Sequence, residues 1–122
     1  MPDKESCWPS EEFLKMRRLV LRECARRERA LVKKARVKVD GVARMLKEDY
    51  GVEQVYLYGS LAWGGFAEGS DIDLLAVGFQ GRYWEMFVKA ERIARPFEVS
   101  VVCEEDAHPT LREEVLKRGL PL

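Results

Sequence analysis

The chain has 122 residues, 21 basic and 21 acidic side chains, and 47% hydrophobic residues. This length suits one compact domain, and the apolar content is high enough for a buried core, which excludes an intrinsically disordered chain. Because no run of 18 apolar residues occurs, and the first residues lack a basic segment followed by an apolar one, we expect neither a membrane span nor a secretory signal peptide.

The balanced net charge conceals an uneven distribution along the chain. Residues 15–48 carry thirteen Lys or Arg and four Asp or Glu, a net +9, whereas residues 49–122 carry seven basic and thirteen acidic side chains, a net −6. We therefore predict a basic helical arm, residues 1–41, followed by an acidic domain, residues 42–122. Such a segregation favours a polyanion or an acidic partner for the arm, although a solvated helix face is equally compatible with it.

Three cysteines, Cys7, Cys24 and Cys103, are spread widely along the chain. Their spacing matches neither a zinc site nor a disulfide framework. We expect them to be reduced thiols, which are typical of a cytoplasmic protein.

The arm has the pattern of a long helix. Ser10, followed by two glutamates, is typical of a helix N-terminus. Apolar residues then recur at three- to four-residue spacing, which places them along one side of a helix: Phe13, Met16, Val20, Cys24, Leu31 and Ala35. Two alternatives stay open near the end of the arm, since the helix either runs through Asp40 and Gly41 or restarts there with Asp40 as N-cap. Gly51 closes the helical region.

The remaining residues alternate between strand and helix patterns. Strands are predicted at residues 54–58, 71–77 and 97–103, and helices near residues 59–67, 82–95 and 110–118. This order predicts an α+β fold, in which a small mixed β-sheet of three to four strands is flanked by helices and preceded by the long helical arm.

The second predicted strand carries an unusual pair of acids, Asp71 and Asp73. Aspartate is disfavoured in strands, and side chains two residues apart point to the same face, so the carboxylates repel each other unless a cation lies between them. Their Cβ atoms are expected roughly 7 Å apart, a spacing from which the carboxylates can converge on Mg²⁺ ions in a two-metal site. The apolar residues that follow Asp73 argue against an exposed edge strand.

Two further groups complete the candidate site. Gly59-Ser60 follows a hydrophobic strand and opens a short helix, so backbone N–H groups and the Ser60 hydroxyl would bind phosphate. Taken alone, this dipeptide is more often an ordinary turn. Glu98 lies in the third predicted strand and would join the face of the aspartates if the two strands are neighbours. Taken alone, it is more often a surface glutamate.

The order of these residues resembles a known family. Gly-Ser, a gap of about ten residues, Asp-X-Asp and a carboxylate on a later strand form the hallmark of the minimal nucleotidyltransferases of the DNA polymerase β superfamily. The matching positions are Gly59, Ser60, Ala62, Gly64, Ser70, Asp71, Asp73 and Leu74. The resemblance covers residues 42–122 and leaves the arm unexplained. Two positions depart from the family pattern, because Trp63 stands where Arg is usual and Glu98 stands where Asp is usual.

The resemblance implies a nucleotidyltransferase that uses ATP and Mg²⁺. Its nucleotide-binding residues would be Gly59, Ser60 and Ser70, while Asp71, Asp73 and Glu98 would be both the catalytic residues and the ligands of two Mg²⁺ ions. AMP would then pass to an acceptor hydroxyl. Small members of this class pair with helical HEPN-type proteins, often as the antitoxin of a toxin–antitoxin pair, so the resemblance points to a tyrosine on such a partner as the acceptor.

Two alternatives from other functional classes stay open. If Trp63 and Glu98 mark a loss of activity, the protein would be a catalytically inactive binding module that neutralises its partner by forming a complex. Nucleic-acid binding through the basic arm is the less favoured alternative. In each case the apolar side of the arm would serve partner binding or the formation of a homo-oligomer.

Overall fold

A computed structural model describes residues 10–122, so Cys7 and the first nine residues of the predicted arm lie outside the described residues. The elements follow one another in this order: α1 Glu11–Tyr50, β1 Gln54–Tyr58, α2 Ser60–Trp63, β2 Ile72–Val77, α3 Tyr83–Ala94, β3 Val99–Cys103, a 3₁₀ turn Glu104–Asp106, α4 Pro109–Arg118 and β4 Leu120–Pro121. The predicted α+β class, with a mixed sheet, flanking helices and a long N-terminal helix, is therefore confirmed.

Helix α1 runs without a break through Asp40 and Gly41, so a second helix does not begin there. At its start, the Ser10 hydroxyl accepts a hydrogen bond from the Phe13 backbone N–H at 3.1 Å, which satisfies one of the free donors of the first turn. At its end, Gly51 adopts a φ of +63°, which glycine tolerates better than other residues. Among residues 10–122, no helix combines the length and the apolar content needed to cross a membrane.

Burial divides α1 into two parts. The contacts within the chain divide it into two compact units, with the boundary in the sequence between Ala30 and Leu31. In the first unit five large apolar side chains of the helix are exposed, namely Phe13, Met16, Leu19, Val20 and Leu21. In the second unit Ala35 and Val39 are fully buried, and Leu31 packs against the same core. The last part of the predicted arm therefore contributes to the core of the second unit.

The strands form one sheet in the order β3-β2-β1-β4. Strand β1 pairs antiparallel with β2 and with β4, whereas β2 pairs parallel with β3. Strand β4 has two residues, too few to show an alternating pattern, and the sequence therefore did not indicate it. It is the edge strand beside β1, at the opposite side of the sheet from β3.

The two faces of the sheet differ in burial. One face is apolar, and these residues on it are at most 6% exposed: Val55, Leu57, Ile72, Leu74, Ala76, Val99 and Val101. They share one core with buried side chains of α1 and α3. The opposite face carries Tyr58, Asp73 and Ser100 in paired positions, and all three are half-buried. We call this second side the open face, because its polar groups remain within reach of a ligand.

Two of the predicted site residues lie just outside the strands to which the sequence pattern assigns them. Asp71 immediately precedes β2, and Glu98 immediately precedes β3. The hydrogen-bond ladder nevertheless reaches this level, since the Ile72 N–H donates to the Glu98 carbonyl at 2.8 Å. Both acids therefore lie at the end of the sheet where β2 and β3 begin.

Buried and exposed positions of α1 should respond differently to the same substitution. Leu46 is fully buried, whereas Leu21 is 56% exposed on the same helix. We expect Leu46→Ala to lower the free energy of unfolding by about 2–5 kcal/mol, because it leaves a cavity, and Leu21→Ala to change it by less than about 0.5 kcal/mol. Urea unfolding followed by circular dichroism measures both values. An equal loss at Leu21 would show that this side of the helix is covered in solution.

Candidate active site

Asp73 is the central residue of the candidate site. Its Cα pairs with Tyr58 of β1 and with Ser100 of β3, so the three side chains share the open face. Burial raises the pKa of the Asp73 carboxyl above its ordinary value, and the negative charge of Asp71 raises it further. Neither aspartate has an ion-pair partner among residues 10–122. The two carboxylates therefore act on each other, and no basic side chain of that range offsets their repulsion.

Gly59 brings the backbone directly beside the Asp73 carboxylate. Its φ of 76° and ψ of −156° lie in a region that is essentially restricted to glycine. A Cβ on Gly59 would collide with Oδ2 of Asp73 and would lie 3.2 Å from its Cγ. Gly64 has a similar backbone, with φ 111° and ψ 157°, yet a Cβ there would meet no atom within 4 Å. Position 59 therefore requires glycine for contact as well as for backbone conformation, and the start of α2 lies against the acid pair.

Ser60 begins α2, and Ser70 ends the loop that leads from α2 to the acid pair. Ser60 is the first residue of α2, which begins immediately after Gly59. The Ser70 hydroxyl accepts a hydrogen bond from the Ala67 N–H at 3.0 Å, and the Ser70 N–H donates to the Ala67 carbonyl at the same distance. Ser70 thus shapes the turn that leads into Asp71. The predicted contacts of these two serines with nucleotide stay predictions.

Glu98 lies at the register position next to Asp71. The pairs Ile72 with Val99 and Asp73 with Ser100 extend back by one residue to Asp71 and Glu98, which places the three acids on one face. Glu98 is exposed. Within residues 10–122, however, no three His, Cys, Asp or Glu side chains are gathered closely enough to hold a metal ion. The structure therefore brings Asp71 and Asp73 together, while Glu98 shares their face without closing a three-ligand cluster.

The acid pair fits a hard divalent cation. Mg²⁺ is usually held by one or two carboxylates together with substrate phosphates, and not by a complete set of protein ligands. Two carboxylates on an open face are therefore a sufficient contribution from the protein. A divalent cation between them would also relieve the repulsion that raises the pKa of Asp73.

Tyr58 and Arg118 are neighbours of the site that the sequence analysis did not single out. Burial, together with the charge of Asp73, raises the pKa of the Tyr58 hydroxyl. The rings of Tyr58 and Trp63 pack with their centroids 6.4 Å apart. The Arg118 guanidinium lies over the Trp63 ring, 4.7 Å from its centroid. The position of Tyr58 just before Gly59 is a signal that was available from the sequence, whereas nothing local indicates Arg118.

Removing the charge of Asp73 should stabilise the metal-free protein at neutral pH. Because the pKa of this carboxyl is raised in the folded state, the folded protein binds the proton more tightly than the unfolded chain does. The resulting loss of stability is absent below the ordinary pKa of 3.8 and grows as the pH rises through the folded pKa. We expect Asp73→Asn to raise the melting temperature in EDTA. The free energy of unfolding should increase by less than about 1 kcal/mol, because the site is partly exposed to solvent, which weakens charge interactions.

Thermal melts at a series of pH values measure this effect. Glu68→Gln, which removes an exposed acid from the preceding loop, is the control for net charge. The gain at Asp73 should exceed that at Glu68 near neutral pH and should disappear below about pH 3.5. A gain that is equal at the two positions, or that persists in acid, would contradict the raised pKa of the Asp73 carboxyl, which burial and the charge of Asp71 produce together.

Comparisons with known proteins bear on the same part of the chain. The sequence profile of the family described as Polymerase beta, Nucleotidyltransferase matches residues 41–122. A solved structure described as a minimal nucleotidyltransferase is 30% identical, with a TM-score of 0.62, and the match covers 75% of this chain and 95% of that chain. A crystal structure of a mutant of the toxin–antitoxin pair MntA–HpeT is 22% identical, with a TM-score of 0.54, and covers 69% of this chain and 68% of that one. No curated protein sequence matches significantly.

The profile match and the geometry agree with each other. The matched residues include the Gly59-Ser60 turn, the Asp71 and Asp73 pair and the strands that carry them. The likeness to the MntA–HpeT structure shows a shared fold, while the minimal nucleotidyltransferase is similar in sequence as well. The chain belongs to the Polymerase beta nucleotidyltransferase family.

Proposed function

We propose that the protein is a Mg²⁺-dependent nucleotidyltransferase that moves AMP from ATP to a hydroxyl group. The contact between Gly59 and the Asp73 carboxylate carries this proposal, because it sets the turn at the start of α2 directly against the acid pair. Phosphates bound at the turn would then lie beside the carboxylates, as nucleotidyl transfer requires. Family membership supports the same class of reaction.

The turn would bind the phosphates of the nucleotide. The backbone N–H groups of Ser60 and Leu61 belong to the first turn of α2, where a helix leaves its donors without partners inside the helix. Together with the Ser60 hydroxyl they would hold the β- and γ-phosphates. Because Gly59 has no side chain, the phosphate chain can approach the backbone there as closely as the Asp73 carboxylate does.

The acids would act on the side of the phosphate chain that faces away from the backbone N–H groups of the turn. Asp71 and Asp73 would hold Mg²⁺ together with phosphate oxygens, and the metal, when bound, neutralises negative charge on the phosphates and favours deprotonation of the acceptor hydroxyl. Glu98, exposed beside Asp71, would take the proton of that hydroxyl. The acceptor oxygen forms a bond with the α-phosphorus, the bond from that phosphorus to the bridging oxygen breaks, and pyrophosphate leaves.

We further propose that a partner protein supplies the acceptor hydroxyl. The related fold of the MntA–HpeT pair occurs in a complex of two proteins. In this chain, Phe13, Met16 and Val20 of α1 are each more than half exposed, and contact with another protein would remove this apolar surface from water. A HEPN-type helical protein with an acceptor tyrosine is the proposed partner, in the cytoplasm, and a homo-oligomer formed through α1 is the alternative.

Transfer from labelled ATP tests the proposed activity. We expect label from the α-phosphate of ATP to become attached to an acceptor in the presence of Mg²⁺ and of the product of the neighbouring gene, if that product is the proposed partner. Asp71→Asn combined with Asp73→Asn should abolish transfer and weaken the binding of Mg²⁺–ATP measured by calorimetry, because the metal loses both carboxylates. Glu68→Gln is the matched control and should retain both. Unchanged Mg²⁺–ATP binding in the double variant would rule out the acid pair as the metal site.

Glu98 decides between an active enzyme and an inactive binding module. If it takes the acceptor proton, Glu98→Gln should lower transfer by about 10²-fold or more, while Glu98→Asp, which restores the usual family residue, should keep or raise it. Glu105→Gln is the control, since Glu105 is also exposed but lies beyond the other end of β3. If transfer and melting are unchanged in both Glu98 variants, Glu98 is a surface residue and does not take the acceptor proton; Glu104, Glu105 and Asp106 do not replace it, since they lie beyond the other end of β3.

A further inference from the structure

Arg118 lies close to the turn to which the proposed function assigns phosphate. Strand β4 pairs Leu120 with Leu57 and Pro121 with Tyr56. A Cβ on Gly119 would lie 3.3 Å from the Cβ of Tyr56, which shows how closely the end of α4 approaches β1. Arg118 is the last residue of α4, so the pairing of β4 with β1 places it near the end of β1, where Gly59 begins the turn.

Trp63 holds both the backbone and the side chain of Arg118. The indole N–H donates a hydrogen bond to the Arg118 carbonyl at 3.0 Å. The guanidinium lies over the indole ring, 4.7 Å from its centroid, where the negative face of the ring attracts a cation. Trp63 in turn packs on Tyr58, whose Cα partner is Asp73. A continuous set of contacts therefore connects Arg118 with the acid pair.

The same helix that carries Trp63 carries the predicted phosphate-binding serine. Ser60 and Trp63 are three residues apart in α2, a spacing that makes side chains neighbours on a helix with Cβ atoms about 5–6 Å apart. A guanidinium stacked on Trp63 is therefore within reach of a phosphate chain that starts at Ser60.

Arg118 retains donors for such a ligand. Its Nη1 donates to Oε1 of Glu114 at 2.6 Å, and stacking on Trp63 occupies the flat face of the guanidinium. The side chain is 59% exposed, and an exposed ion pair of this kind contributes little to stability, so a phosphate can replace Glu114 at small cost. The planar fork of N–H groups matches two phosphate oxygens at once.

We propose that Arg118, positioned by Trp63, binds the terminal phosphates of the nucleoside triphosphate and makes the site selective for triphosphates over monophosphates. This inference rests on the proposed function. It assigns a ligand to a residue from the last helix, outside the turn and the acid pair. It also assigns Trp63 the role of a positioning residue that sets the direction of the guanidinium.

Calorimetric titrations of the full chain with ATP, pyrophosphate and AMP, each in Mg²⁺, test this inference. Arg118→Gln should lower the affinity for ATP and for pyrophosphate by about tenfold or more and should leave AMP binding unchanged, because AMP lacks the terminal phosphates. The fold should persist, since Trp63 bonds to the backbone carbonyl of residue 118 and not to its side chain. Arg118→Lys keeps the charge without the planar fork and should lose less affinity than Arg118→Gln.

The matched control is Arg112→Gln, which removes another arginine of α4 that is ion-paired with Glu104 at 3.1 Å. It should change none of the three affinities. Trp63→Phe should shift ATP and pyrophosphate in the same direction as Arg118→Gln. Equal losses for all three ligands, no loss for any, or the same selective loss in Arg112→Gln would overturn the assignment of Arg118.

The same titrations separate this inference from the proposed function. If the unaltered protein binds ATP and transfers AMP, but Arg118→Gln keeps its preference for triphosphates, the assignment of Arg118 alone is wrong. If the unaltered protein binds no nucleotide and transfers none with its partner present, the proposed function is wrong, and the assignment of Arg118 falls with it.

Discussion

The contact between Gly59 and the Asp73 carboxylate is the constraint on which the site depends. Any side chain at position 59 would displace the carboxylate, and the backbone there already lies in a region that glycine alone occupies readily. The arrangement leaves a half-buried aspartate whose pKa is raised by burial and by Asp71. Titratable groups perturbed in this way are concentrated at functional sites. In this family member the perturbation lies where the Gly59-Ser60 turn meets two carboxylates.

The two faces of the sheet are unlike, which allows Asp73 to lie on the same strand as residues of the buried core. The apolar face, with side chains of α1 and α3, forms the continuous core of the second unit, and hydrophobic burial there supplies the main favourable contribution to stability. Asp73 alternates to the open face, beside Tyr58 and Ser100. The polar groups of the site are therefore kept apart from the core, although they share strands with some of its most deeply buried residues.

Arg118 is distant in sequence from the acid pair but contacts Trp63 of α2, the helix that begins at the Gly59-Ser60 turn. Pairing of β4 with β1 carries Arg118 to Trp63, which stands where the family usually has an arginine. Trp63, which departs from the family pattern, thus holds the Arg118 guanidinium of α4 near the Gly59-Ser60 turn. If Arg118 binds phosphate as we propose, the positive charge near this turn comes from α4 and not from position 63.

Local pattern alone determined most of the secondary structure and the shared face of Asp71 and Asp73, because alternation and glycine boundaries depend on residues close together in the chain. Only the tertiary structure decided three further points. Helix α1 continues through Gly41, where a Cβ would lie 3.0 Å from Cγ2 of Ile93, so close helix packing favours glycine inside a helix. Glu98 is aligned with Asp71 because β3 is the parallel neighbour of β2. Arg118 reaches Trp63 because β4 returns to β1. Each depends on contacts between residues far apart in sequence, which local patterns of hydrophobicity and turn residues do not encode.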